Sequence, residues 1–112
     1  SIVALSVVLA QEVRRRRIRR GAGVIPHRMS RWVAYAGLLE TQGICGDPST
    51  SVEEQAVEIL AKLDAILAEH GLARSRLLSV TAYLSTIDDK PAFDAVYDRW
   101  LAADKPTRAC VQ

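Results

Sequence analysis

Residues 51–86, SVEEQAVEILAKLDAILAEHGLARSRLLSVTAYLST, decide the fold class. Ser51 and Glu54 form the S-x-x-E pattern of a capping box, whose hydroxyl satisfies a backbone N–H left open by a first helical turn. Val52, Ala56, Ile59, Leu60, Leu63, Ile66 and Leu67 then recur at helical spacing, and His70-Gly71 supplies a stop. Glu53, Glu54, Glu58, Lys62, Asp64 and Glu69 fall mainly off that stripe, so the helix packs through one side only. From Arg76 to Thr86 the period changes to two. Leu78, Val80, Ala82 and Leu84 alternate with Ser79, Thr81 and Tyr83, which predicts a strand covered on one face. A one-sided helix followed by a one-sided strand reads as a helix layer on a sheet.

Working outward, Arg31–Gly43 reads as a hairpin: Trp32–Tyr35, a turn at Ala36-Gly37, and Leu38–Gly43. Downstream, Asp88/Asp89 and Pro91 open a second helix with the stripe Phe93, Val96, Tyr97, Trp100 and Leu101. Lys105-Pro106 turns the chain into a short last strand, Thr107–Gln112. At the front, Ser1–Ala10 (SIVALSVVLA) is Val-, Ile- and Leu-rich and predicts a buried strand. Gln11–Arg20 should continue extended with arginines on both faces, which places it at a sheet edge, and Gly21-Ala22-Gly23 should break it. Two helices on one face of a mostly antiparallel, six-stranded sheet make an α+β domain.

The chain has 112 residues, 49% hydrophobic and 25% charged, which suits one globular domain spanning 1–112. Ser1–Ala10 is too short for a membrane span and lacks a charged leader, so neither a membrane anchor nor a signal peptide is expected. Cys45 and Cys110 have no zinc or disulfide-scaffold spacing, which fits a reducing cytoplasm and no metal. The net charge is +2, yet six of fifteen basic residues lie in Val13–Arg20. The remaining nine bases face thirteen acids, so the domain is mildly acidic with one arginine stripe. No aromatic platform interleaves with Arg14, Arg15, Arg16, Arg17, Arg19 and Arg20, which ranks nucleic-acid binding or cleavage last.

Composition yields no phosphate loop and no metal-ligand spacing at His27 or His70. His70, in the last turn of a helix, suits the helix dipole and a structural role. Arg108 and Cys110, two apart on a strand, share a face. A guanidinium there could clamp a carboxylate, with the thiol in its positive field; equally, it could be a surface arginine above a small buried cysteine.

HRMSRWVAYAGLLETQGI, then SVEEQAVEILAKLDAILAEHGLARSRLLSVTAYLSTIDD, then FDAVYDRWLAADKPTRACVQ, resembles the Rid/YjgF family of reactive-intermediate deaminases, in order from about Ile18 to Gln112. The resemblance implies a chorismate-mutase-like homotrimer with the sheets in an inner barrel, helices outside, and ligand clefts between subunits. It also implies hydrolysis of 2-imino (enamine) acids to 2-oxo acids and ammonia, without cofactor or metal. Arg108 matches the carboxylate-binding Arg and Cys110 the Cys beside it. Gln42 falls where many members have Ser, Asp94 where many have Asn, and Met29 where archetypal members have Tyr. Ala4 falls at the Glu that positions water, so no catalytic residue is assigned. The alternative to a hydrolase is therefore a non-catalytic trimer that binds small carboxylates. The family's closing strand, of the kind V-E-I-x-V-x-A, is not found after Cys110. Residues 1–11 carry its pattern instead, which suggests a circular permutation.

Overall fold

The computed structural model describes residues 1–11, 16–23 and 27–112. In chain order the elements are β1 (Ile2–Ala10), β2 (Arg19–Ala22), β3 (Ser30–Tyr35), β4 (Leu38–Thr41), α1 (Val52–Glu69), β5 (Leu77–Leu84), α2 (Lys90–Trp100) and β6 (Thr107–Val111). They form one six-stranded sheet in the order β2-β3-β4-β1-β5-β6. All pairings are antiparallel except β5 with β6, which run parallel because α2 carries the chain back across the sheet. The fold is α+β, as the alternation of periods predicts.

β1 lies at the centre of the sheet, with Leu9 opposite Leu39 on β4 and Val7 opposite Val80 on β5. It has no charged residue and alternates strictly from Leu5 to Leu9, so Leu5, Val7 and Leu9 are fully buried against the helices. Each such side chain removed from water contributes about 1.5–3 kcal/mol. From α1 come Ile59, Leu60 and Leu63, and from α2 Phe93, Val96 and Tyr97. Ser51 caps α1 as expected, its hydroxyl accepting from the Glu54 N–H at 3.1 Å.

Four local readings are corrected. Leu78 does not join the buried row of β5 but is 44% exposed. The register jumps from Val8↔Ser79 to Leu9↔Leu77, so Leu78 is the extra residue of a bulge and Leu77 takes the inward place. Gly21 and Ala22 do not end β2 but belong to it. A side chain on Gly21 would sit 2.3 Å from Trp32 Nε1, so the missing Cβ is what lets the indole lie across the strand. Arg16 and Arg17 lie in a bend rather than a strand, and Arg14, Arg15 and Pro26 fall outside the described residues. His70 is the C-cap residue just past α1 rather than part of its last turn. Burial against Trp32, whose ring it meets edge-on at 4.5 Å, lowers its pKa and outweighs the attraction of Glu69, with Arg19 and Arg31 lowering it further.

Gln55 is 1% exposed within an otherwise apolar face. Its Oε1 accepts from the Ile2 N–H and its Nε2 donates to the Thr50 carbonyl, both at 2.8 Å, so α1 pins the start of β1. The sheet face away from the helices leaves Tyr35, Leu38, Leu78, Tyr83 and Val111 between 39% and 52% exposed. Among the described residues, no helix is long and apolar enough to cross a membrane.

Candidate functional site

Arg108 stands in the middle of β6, on the face covered by α2. Alternation puts Arg108 and Cys110 on that one face, as their spacing predicts, and Cys110 packs against the core. The guanidinium lies over the Tyr97 ring at 4.9 Å and near the Phe93 ring at 5.8 Å. Those two rings come from the buried stripe of α2, and Asp94, between them in sequence, points at the same group. Arg108 Nη2 is 2.7 Å from Asp94 Oδ1, an ion pair whose alignment falls short of a hydrogen bond. Lys90, one turn earlier on α2, donates to Asp94 Oδ2 at 2.8 Å. Arg108 Nη1 is buried and has no hydrogen-bond partner among the described residues.

The electrostatics follow from this packing. Burial raises the Asp94 pKa, but the Lys90 and Arg108 contacts and charges more than reverse it and hold the carboxyl below its ordinary value. Burial lowers the Arg108 pKa, and Asp94, Cys110 and Tyr97 together raise it above its usual range. Arg108 is thus a fixed cation, oriented by an aromatic floor and an acidic neighbour.

A second region lies where β4 runs into the loop that precedes α1. A cavity of about 620 Å³ is lined there by Met29, Arg31, Gln42, Cys45, Glu58 and Lys62, among others. The Gln42 N–H donates to the Arg31 carbonyl at 2.9 Å, which fixes the backbone, while its side-chain Oε1 is buried with no hydrogen-bond partner among the described residues. Lys62 Nζ donates to the Cys45 carbonyl at 2.6 Å and lies 3.1 Å from the Glu58 carboxylate. Glu58 in turn accepts from the Asp47 N–H at 3.1 Å. A Cβ at Gly43 would sit 3.1 Å from Ala4 Cβ, so Ala4 lies beside this loop and brings no polar group to it.

The structure brings Arg108, Cys110 and Asp94 together, and separately Met29 with Gln42. It does not bring the two groups to one place within a chain. β4 and β6 are separated by β1 and β5, so three strand spacings of ~4.8 Å put the groups roughly 14 Å apart across the sheet. Sequence reading missed Lys90, Glu58 and Lys62 as members of these regions. The available signal was the i,i+4 spacing of Lys90 with Asp94 and of Glu58 with Lys62 on their helices.

A family model described as endoribonuclease L-PSP matches residues 24–112. Among curated proteins, a RutC family protein of Synechocystis sp. is 34% identical over 71% of this chain and 68% of its own length. The RutC family protein YoaB of Escherichia coli is 30% identical over 74% of this chain and 76% of its own. Among solved structures, a YjgF-family member from Neisseria meningitidis superimposes with a TM-score of 0.77 at 31% identity, covering 86% of this chain and 80% of that one. One from Salmonella typhimurium, described as a putative translation initiation inhibitor, gives 0.76 at 32% identity, covering 87% and 84%. With the family model covering residues 24–112 and the fold shared with these structures, the chain belongs to the Rid/YjgF (endoribonuclease L-PSP) family.

Proposed function

We propose that this chain hydrolyses small 2-imino (enamine) acids to 2-oxo acids and ammonia, at clefts between the subunits of a homotrimer, with Arg108 holding the substrate carboxylate. One observation carries the reading: two half-sites of complementary chemistry lie at separate places on one sheet. Arg108 offers a cation held in place by Asp94 and the Tyr97 ring, and the Met29–Gln42 cavity offers room for the rest of the substrate, with Gln42 in its lining. Neither half is a site alone. A neighbouring copy that set its cavity against this Arg108 would complete one, and the exposed Tyr35, Leu38, Tyr83 and Val111 give such copies an apolar face to share.

The reaction adds water across the C=N bond and releases ammonia, so substrate and product keep the same carboxylate and need no redox partner. Arg108 would fix the acid end and draw electron density toward it, and the cavity would orient the imine carbon. The water-positioning group is the weak point. Ala4 brings none, Asp94 is held by Lys90 and Arg108, and Glu58 is held by Lys62 and the Asp47 N–H. That favours a second reading, a trimer that binds 2-oxo or 2-imino acids without turning them over.

We also propose that the domain is a circular permutation in which β1 replaces the family's closing strand. Its position between β4 and β5 supports this, as does a family match that begins only at residue 24.

The test is calorimetric titration of 2-oxobutanoate, together with ammonia release from 2-iminobutanoate generated in situ. Arg108→Ala should weaken binding by about 30–150-fold, the value of a charged contact of ~2–3 kcal/mol. Arg108→Lys should restore little, because a point charge lacks the planar fork. Binding that survives Arg108→Ala would overturn the site. Arg108-dependent binding without ammonia release above background would select the second reading.

A further inference from the structure

The deepest departure from a simple carboxylate clamp is that Arg108 already has a carboxylate. Asp94 sits 2.7 Å from Nη2, on a helix anchored by Pro91 in its first turn and by Phe93 and Tyr97 in the core. It is not a wandering surface acid, for its side chain is only 23% exposed and Lys90 holds its other oxygen at 2.8 Å. The three groups form a chain, Lys90–Asp94–Arg108, whose charges sum to one positive rather than two. Arg108's other terminal nitrogen, Nη1, is buried, so an incoming group meets Arg108 where Asp94 already sits.

We infer that Asp94 is an internal competitor for Arg108, setting how strongly the site prefers an acid over its neutral analogue. This inference rests on the reading of Arg108 as the ligand anchor and concerns the selectivity of that same site. A free carboxylate has two ways to bind. It can take Asp94's place on Nη2, leaving the Asp94 charge against a new anion, or it can share the guanidinium with Asp94 and lose the bidentate fork. A neutral carbonyl that shares the guanidinium with Asp94 brings no charge toward it and escapes the repulsion. Specificity here therefore comes from a repulsive element as well as an attractive one. Lys90 works in the opposite sense. By drawing Asp94 toward itself, it weakens the hold of Asp94 on Arg108 and leaves room for an incoming acid. Asp94 acts through Arg108 and is a positioning residue, as Lys90 is at one further remove.

The experiment titrates 2-oxobutanoate and its neutral counterpart 2-oxobutanamide into the wild type, Asp94→Asn, Asp94→Glu and Lys90→Met. Asp94→Asn keeps the shape and removes the charge. It should tighten 2-oxobutanoate by about tenfold while changing 2-oxobutanamide by less than about twofold, since one charge-assisted contact no longer has to be displaced. Asp94→Glu should restore the wild-type preference. Lys90→Met should move the other way, weakening the acid several-fold, and it serves as the reporter should Asp94→Asn fail to fold. The inference is overturned if Asp94→Asn leaves 2-oxobutanoate unchanged or weakens it. Parallel tightening of both ligands would also overturn it, because that is a change of shape and not of charge. If no variant and not the wild type binds either ligand, the reading of Arg108 as anchor falls, and this inference with it.

Discussion

Removing the Gln55 side-chain amide tests how β1 is held. In Gln55→Leu the Ile2 N–H loses its acceptor inside the core and the Thr50 carbonyl loses a half-buried donor. An orphaned buried donor costs about 1–3 kcal/mol, and the second contact adds up to ~1 kcal/mol, while the leucine fills most of the volume. The expected loss is about 1–4 kcal/mol. At roughly 4 °C per kcal/mol for a domain near this size, Tm should fall by about 4–16 °C at fixed protein concentration. Amide exchange sharpens the test: Ile2 should lose protection while Leu60 and Leu63, in the middle of α1, keep theirs relative to the global stability. A Gln55→Leu protein as stable as the wild type, with an equally protected Ile2 amide, would refute the pin between α1 and β1.

Gly21→Ala should cost about 1–3 kcal/mol in urea unfolding, because the new methyl meets the Trp32 indole at 2.3 Å; an unchanged midpoint would mean that the indole has somewhere else to go. His70 has a pKa lowered below 6.5 by burial beside Trp32, so the folded state resists its protonation. Stability should hold above pH 6.5 and decline as pH falls through the lower folded value, and His70→Phe should flatten that limb of the profile. Burial raises the Asp64 pKa, but hydrogen bonds from Arg74 and Trp100 and the charge of Arg74 bring it below 3.8. Asp64→Asn should therefore be less stable than the wild type at neutral pH, with the gap closing as pH falls below 3.8 toward the folded-state pKa; a gap independent of pH would remove Asp64 from the account.

What the sequence made legible was periodicity. The helical stripe from Val52 to Leu67 and the alternation in Leu77–Leu84 each report a buried face, which any register of the fold must respect. The bulge at Leu78 was hidden because Leu77 and Leu78 are equally apolar, and only the register with Val8 and Leu9 decides which turns inward. Gly21 looked like punctuation, since a glycine that makes room for an indole on the next strand has the same letter as one in a turn. Gln55 was hidden because a polar residue in an apolar stripe reads as a lapse until its partners are known. At the site, Arg108 and Cys110 were legible from spacing and resemblance. Their pairing with Asp94 was not, because it depends on how α2 lies over β6.

The central position of β1 also shapes how the chain reaches its fold. The β3–β4 hairpin can close locally in about 1–10 μs. β1 pairs with Leu39 on one side and with Leu77–Leu84 on the other, so the sheet has no middle until distant parts of the chain have met. Topologies dominated by such non-local pairing fold in milliseconds to seconds. Through that interval IVALSVVLA, nine uncharged residues of strong strand preference, has both backbone edges open. A segment of that kind pairs as readily with another copy of itself as with its own partners. Completion of the sheet and self-association of the unfinished chain therefore compete for the same nine residues, and concentration during folding decides between them.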